Sequence, residues 1–238
     1  ILRLDIAGKN IRLGRVDIER PVIAFITDTT GLMNLTWYLD MLKNPLDIVK
    51  KESLRFFVNK ITINDGRFAL LNRNGPAGKA LIDFKDLRLS DLSADVKNFR
   101  IRGDSTVLEI NDVRFGESKG FLVRSMKSDL ILARKEIIFR DLFLNLDSSI
   151  INADQVLLSG NESEGFKNFT ENVRLDISLE KSLVSTSDLR YFLSAAGGLN
   201  EAVELSGRIS GTVSDLNGRR IQASFRDHTE LSCDFDMS

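Results

Sequence analysis

Cysteine and histidine are nearly missing from this chain: its 238 residues hold one of each, Cys233 and His228. A Cys/His zinc centre cannot be assembled from one of each, and an internal disulfide is impossible. Charge of one sign is missing too, with 33 Lys and Arg against 34 Asp and Glu. No basic stripe forms, Lys50-Lys51 being an isolated pair, and this argues against a nucleic-acid partner. Trp occurs once and Tyr twice against fifteen Phe. Phe has no polar handle, so this usage suits apolar interiors rather than stacking platforms for bases or sugars. There is no Gly-x-Ser-x-Gly elbow and no phosphate-cradling loop, and Gly75 and Gly78 lie in a plain loop around Pro76. No apolar run reaches membrane-spanning length. Asp215 to Arg219 lacks the further carboxylates a calcium loop needs and reads as a hairpin turn at Asn217-Gly218. Cys233, flanked by Leu231 and Phe235 on the apolar parity, reads as a small core residue, and His228 as an exposed turn residue. Three Asn-x-Ser/Thr triplets, at Asn34, Asn161 and Asn168, are short enough to arise by chance. Nothing here points to an enzyme, a cofactor or a metal.

What the chain has in abundance is alternation. The clearest case is Val203, Leu205, Gly207, Ile209, Gly211 and Val213 on one face, with Glu204, Ser206, Arg208, Ser210, Thr212 and Ser214 on the other. A slip of one residue inverts every side chain, so such a strand belongs to a sheet with one dry face. Val173, Leu175, Ile177 and Leu179 alternate equally well, as do Leu231, Cys233, Phe235 and Met237. Further strands are expected at Ile1–Ile6, Ile11–Ile18, Val22–Thr27, Leu81–Leu89, Phe99–Ile101, Val107–Phe115, Phe121–Met126, Leu130–Leu132, Ile137–Leu146, Ile150–Leu158 and Ile221–Phe225. Ile61 and Ile63 open a hairpin that turns at Asn64-Asp65-Gly66 and returns through Phe68 and Leu70. Pro21 marks a strand start or a sheet edge.

Two short helices interrupt the strands. Leu32, Leu35, Leu39 and Leu42 fall at helical spacing before Asn44-Pro45. Ser187 is a good N-cap for a helix with Leu189, Phe192, Leu193 and Ala196 on one face, stopped at Gly197-Gly198. No linker divides the chain, so residues 1–238 read as one elongated unit. The expectation is mainly β: a long, curled antiparallel sheet, an open groove or incomplete barrel, with about two short helices. Asp83, Asp86, Asp91 and Asp95 fall on its wet face. Gly207 and Gly211 either leave room for a ligand or let the neighbouring helix pack closely, and helix packing is the better reading.

The segment from Ser187 to Leu216 resembles a recurring unit of the AsmA-like / TamB superfamily: a helix opening Ser-Asp-Leu, then a strand with leucine, Ser-Gly, a small residue and Gly. Its carriers are Ser187, Asp188, Leu189, Phe192, Leu205, Ser206, Gly207, Ser210, Gly211 and Leu216. Pro21, Asp28, Gly31, Asn34 and Leu35 match the family's strand, Pro, strand, acid, Gly, Asn-Leu pattern. Glu117, Ser118, Gly120 and Phe121 match a Glu-x-Ser-Gly-Phe-like turn, with Lys119 inserted. The resemblance implies a periplasmic protein held in the inner membrane by an anchor outside this chain. It also implies a sheet whose greasy groove carries phospholipid towards the outer membrane, and an outer-membrane β-barrel partner.

On that reading the groove lining is Ile61, Ile63, Phe121, Val123, Val173, Leu175, Ile177, Leu179, Val203, Leu205, Ile209, Val213, Leu231 and Phe235. A sixteen-carbon acyl tail needs about 12 kcal/mol of replacement contacts, so its path must carry no charge. Arg140 is the test of this, because it shares a parity with Ile138, Leu142, Leu144 and Leu146. Composition alone favours a closed β-sandwich that serves as a scaffold or a chaperone-like protein-binding module, and the resemblance favours the lipid groove. The alternation already running at Ile1 leads us to expect an internal segment of something longer.

Overall fold

A computed structural model describes residues 3–5, 10–28, 55–72, 81–83, 85–102, 105–161, 169–192, 201–225 and 229–237. Its strands are β1 (Arg3–Asp5), β2 (Asn10–Glu19), β3 (Val22–Thr27), β4 (Arg55–Asn72), β5 (Asp86–Arg102), β6 (Ser105–Glu117) and β7 (Leu122–Leu132). They continue with β8 (Glu136–Leu146), β9 (Ile150–Ser159), β10 (Arg174–Ser185), β11 (Ala202–Thr212), β12 (Asp215–Ser224) and β13 (Glu230–Met237). Two one-turn helices, α1 (Phe169–Asn172) and α2 (Thr186–Leu189), flank β10.

All thirteen strands form one sheet, ordered β1-β2-β4-β5 and then in sequence to β13, with β3 beside β4. From β4 onward every pairing is antiparallel, a meander whose alternating sequences put apolar residues on one face. β2 and β3 depart from this, both running parallel to β4. They form one edge line, broken where Pro21 has no amide to donate and Arg20 turns to φ 49°. The sheet does not close into a barrel, since β1 and β13 lie at its two ends. Twelve strands in path order make a band ~53 Å wide before twist. No second sheet faces it among the described residues, so the closed sandwich is not found.

Several local expectations are corrected. Asn64-Asp65-Gly66 is not a hairpin turn, and β4 runs straight through it. Asp65 takes φ 52° and throws a bulge, while the Asn64 carbonyl accepts the Arg20 amide at 2.8 Å. The β11–β12 hairpin turns at Val213-Ser214 rather than Asn217-Gly218, because Thr212 pairs with Asp215. Gly207 and Gly211 are required by the close approach of the β12 backbone. Their φ values are 135° and 119°, and a Cβ would lie 2.7 Å from the Arg220 carbonyl oxygen and 2.1 Å from that of Asp215. The N-cap of α2 is Ser185, whose hydroxyl accepts the Ser187 amide at 3.2 Å. Cys233 is only half-buried, on an edge strand. The helix expected over Leu32–Leu42, the residues Leu193 and Ala196, and His228 lie outside the described residues.

Some expected strands merge: Phe121–Met126 joins Leu130–Leu132 in β7, and Leu81–Leu89 joins Phe99–Ile101 in a β5 that begins at Asp86. The cause is a line of register shifts that runs from β5 to the β13 edge. It passes Asn111 and Asp112, Ser128, Asp141, Asp154, Glu180 and Lys181, Gly207 and Arg220. Each shift places an extra residue in one strand and reverses the parity beyond it.

Candidate functional site: a continuous apolar face

The bulge line explains why one face stays apolar over so many strands. In β10, Leu175, Ile177 and Leu179 face inward, Glu180 and Lys181 occupy the bulge, and Ser182 and Val184 face inward beyond it, paired with Leu205 and Val203. In β8, Arg140 and Asp141 are both exposed at the bulge, so Arg140 leaves the apolar parity. The backbone groups freed by these shifts are met by inward serines. The Ser128 hydroxyl donates to the Arg140 carbonyl at 2.8 Å. Ser182 Oγ accepts the Asn152 amide at 2.9 Å and bonds the Asn152 and Glu180 carbonyls at 3.1 and 2.9 Å. Both serines are buried.

Register partners share a face, so the pairings trace rows across it. One row runs Ile11, Phe56, Ile101, Thr106, Leu132, Ile137, Leu158, Leu175, Gly211, Leu216 and Met237, from β2 to β13 without a charge. The next row runs Leu108, Leu130, Phe139, Val156, Ile177, Ile209, Gly218 and Phe235. The Phe235 ring lies over Gly218, where an added Cβ would meet it at 2.2 Å. The opposite face holds the ion pairs. Arg208 meets Asp176 at 2.6 Å, which raises the guanidinium pKa through the side-chain hydrogen bond. Lys60 meets Asp95 at 2.7 Å, and that bond holds the carboxyl below its ordinary value against the opposing effect of burial. Asn111 Nδ2 also donates to Asp95, at 3.1 Å.

The expected lining residues divide into three groups. Leu175, Ile177, Leu179, Val203, Leu205, Ile209, Leu231 and Phe235 come together on the half-open face, with Leu205, Ala223 and Leu231 paired in series. Ile61 and Ile63 join it from the other side, through Val96 to Ile110 and through Ala94 to Val113. Phe121 and Val123 are instead sealed in a buried cluster with Ile82, Leu146 and Tyr191, and Val173 is fully buried just before β10. Val213 sits in the turn after β11 and leaves the face. Phe56, Leu132, Ile137, Leu158 and Leu216 were missed as lining. The strands of Leu132, Ile137 and Leu158 were legible, but the parity reversal at the bulges hid which face they share. Phe56 precedes the hairpin expected from Ile61, and Leu216 falls in the turn expected at Asp215 to Arg219, so their strands were not foreseen.

The face is not a packed interior. Phe139, Leu175, Ile177 and Ile209 along it are only half-buried. Leu231 and Met237 are 51% and 47% exposed. A separate shallow depression of about 320 Å³ lies over β3, β4 and β5, with Val22, Phe68 and Leu89 in its walls. Among the described residues no group of three or more His, Cys, Asp and Glu is placed to hold a metal ion, and no helix is long and apolar enough to cross a membrane. Comparison with family models, with curated proteins and with solved structures found no match for this chain.

Proposed function

We propose that this chain is a lipid-conduit segment: acyl chains of phospholipid lie on the apolar face and move across its strands. The observation that carries the reading is the uncharged row from Ile11 to Met237, on a half-open face that no second sheet covers among the described residues. Most apolar strand faces are core and are covered, and this one leaves its area available to a chain-shaped ligand. The resemblance of Ser187–Leu216 to the AsmA-like / TamB unit supports a periplasmic setting, an inner-membrane anchor elsewhere in the protein and an outer-membrane β-barrel partner. Transport would then join the two membranes and support biogenesis of the outer one.

The test is native mass spectrometry of the purified chain, with solvent extraction and lipid analysis of the same sample. Co-purified phospholipid, lost in Ile177→Asp and Leu205→Asp while circular dichroism keeps its β signal, is the expected result. A clean apo mass that stays clean after incubation with phospholipid vesicles would overturn it. The free β13 edge, with Leu231 and Met237 half-exposed, would then favour a module that takes up a strand of a partner protein.

A further inference from the structure

We infer that the strap formed by Ile82 and Tyr191-Phe192 is an end stop for the ligand on this face, an inference that rests on the lipid reading above. Ile82 precedes β5 and Tyr191 follows β10, and five strand steps separate those strands, ~24 Å on a flat sheet. Yet the Ile82 amide donates to the Tyr191 carbonyl at 3.0 Å. The two segments therefore meet across the ends of β6 to β9.

What they cover is the apolar face itself. Met126, Leu144 and Ile151 pack against the cluster of Ile82, Phe121, Val123, Leu146 and Tyr191. Met126 shares its parity in β7 with Leu130 and Leu132, which belong to the two open rows. Under the strap Val123 and Leu146 are 3% and 4% exposed, while Leu175, Ile177 and Phe139 in the open rows are half-buried. The Phe121 ring meets Tyr191 edge-on at 5.5 Å and Phe192 at 5.2 Å. The strap is also tied to the β8–β9 turn. Buried Asp188 accepts the Ser148 amide at 3.0 Å, and Ser149 Oγ accepts the Ser185 amide at 2.9 Å. Gly120, at φ 97°, leaves the space that the Tyr191 hydroxyl approaches, since a Cβ there would lie 3.2 Å from it.

An acyl chain lying along a strand thus ends at the strap, and the ligand keeps to the rows beyond it. The test places a photoreactive benzoylphenylalanine at Phe121, under the strap, or at Phe139, in the open row, each an aromatic-for-aromatic exchange. The purified chain is irradiated with vesicles of palmitoyl-oleoyl phosphatidylethanolamine and phosphatidylglycerol. A lipid adduct at Phe139 and none at Phe121 is expected, with an adduct at Phe121 appearing once Tyr191→Ala removes the stop. Equal adducts at both sites in the chain with Tyr191 intact overturn the end stop and leave the lipid reading standing. No adduct at either overturns both. If Tyr191→Ala fails to fold, the comparison of the two sites in the otherwise native chain still decides.

Discussion

Among the described residues, six other than glycine take positive φ: Arg20, Asp65, Asp91, Asn98, Asp141 and Arg220. Four are Asp or Asn, whose short polar side chains tolerate the left-handed region. We expect Asp141→Val to lower stability by about 1–2 kcal/mol and Asp141→Gly to leave it unchanged or raise it, measured by urea unfolding. Gly211 is more constrained, because its added Cβ would sit 2.1 Å from the Asp215 carbonyl oxygen. Gly211→Ala should cost about 2–3 kcal/mol and loosen the Val213-Ser214 turn, seen as faster hydrogen exchange there. Ser182→Ala removes a hydroxyl that serves three backbone groups and should cost about 1–3 kcal/mol in the same assay. Ser182→Thr, which keeps the hydroxyl, separates that loss from a change of shape.

At the scale of the element, a strand here is longer than its alternation suggests, because it passes through a bulge. The signal was in the chain: two adjacent polar residues inside an apolar pattern, as in Asn111-Asp112, Lys127-Ser128, Arg140-Asp141 and Glu180-Lys181. Read as a strand end, such a pair splits β7; the structure instead puts the inserted residue in the neighbouring β6 and β8, where the parity flips, and β7 runs on through Lys127-Ser128 with its parity kept. Strand existence was therefore legible, since period-two patterning is local. The shared face of Leu132, Ile137 and Leu158 was not, since it depends on pairing between strands. The parallel edge of β2 and β3 on β4 was also hidden, because nothing in a strand's own residues states its neighbour's direction. Between β4 and β5 the Lys60–Asp95 pair adds a pH-dependent link. The Asp95 carboxyl is held low, so its contribution is present above the ordinary Asp range and is lost as pH falls through the folded value. With both side chains about a third exposed, Lys60→Met should cost under about 1 kcal/mol at pH 7. The stability gap between variant and parent should narrow as pH falls below the ordinary Asp range and the carboxyl protonates, as urea midpoints will show.

At the scale of the whole molecule, a single-layer sheet leaves half-exposed apolar surface on one face that any account of function must explain. Filling the open rows from Leu175 to Phe235 should shrink it. Vesicle-loaded protein should therefore bind less of the dye anilinonaphthalene sulfonate than lipid-stripped protein, and equal binding would mean the face stays empty. The strap could not be foreseen from the chain. Ile82 and Tyr191 are far apart in sequence, Ser149, which ties the strap, carries no pattern of its own, and the turn pattern that holds Gly120 does not name Tyr191 as its neighbour.

The meander from β4 to β13 has a thermodynamic consequence. Among the described residues each strand from β5 to β12 is hydrogen-bonded only to its two sequence neighbours, so this stretch behaves as a row of coupled units rather than one cooperative block. Melting should begin at the β13 margin and travel inward strand by strand, in a broad transition. The tie between Ile82 and Tyr191 is the exception: it couples β5 to β10 directly, so the units between them should melt together.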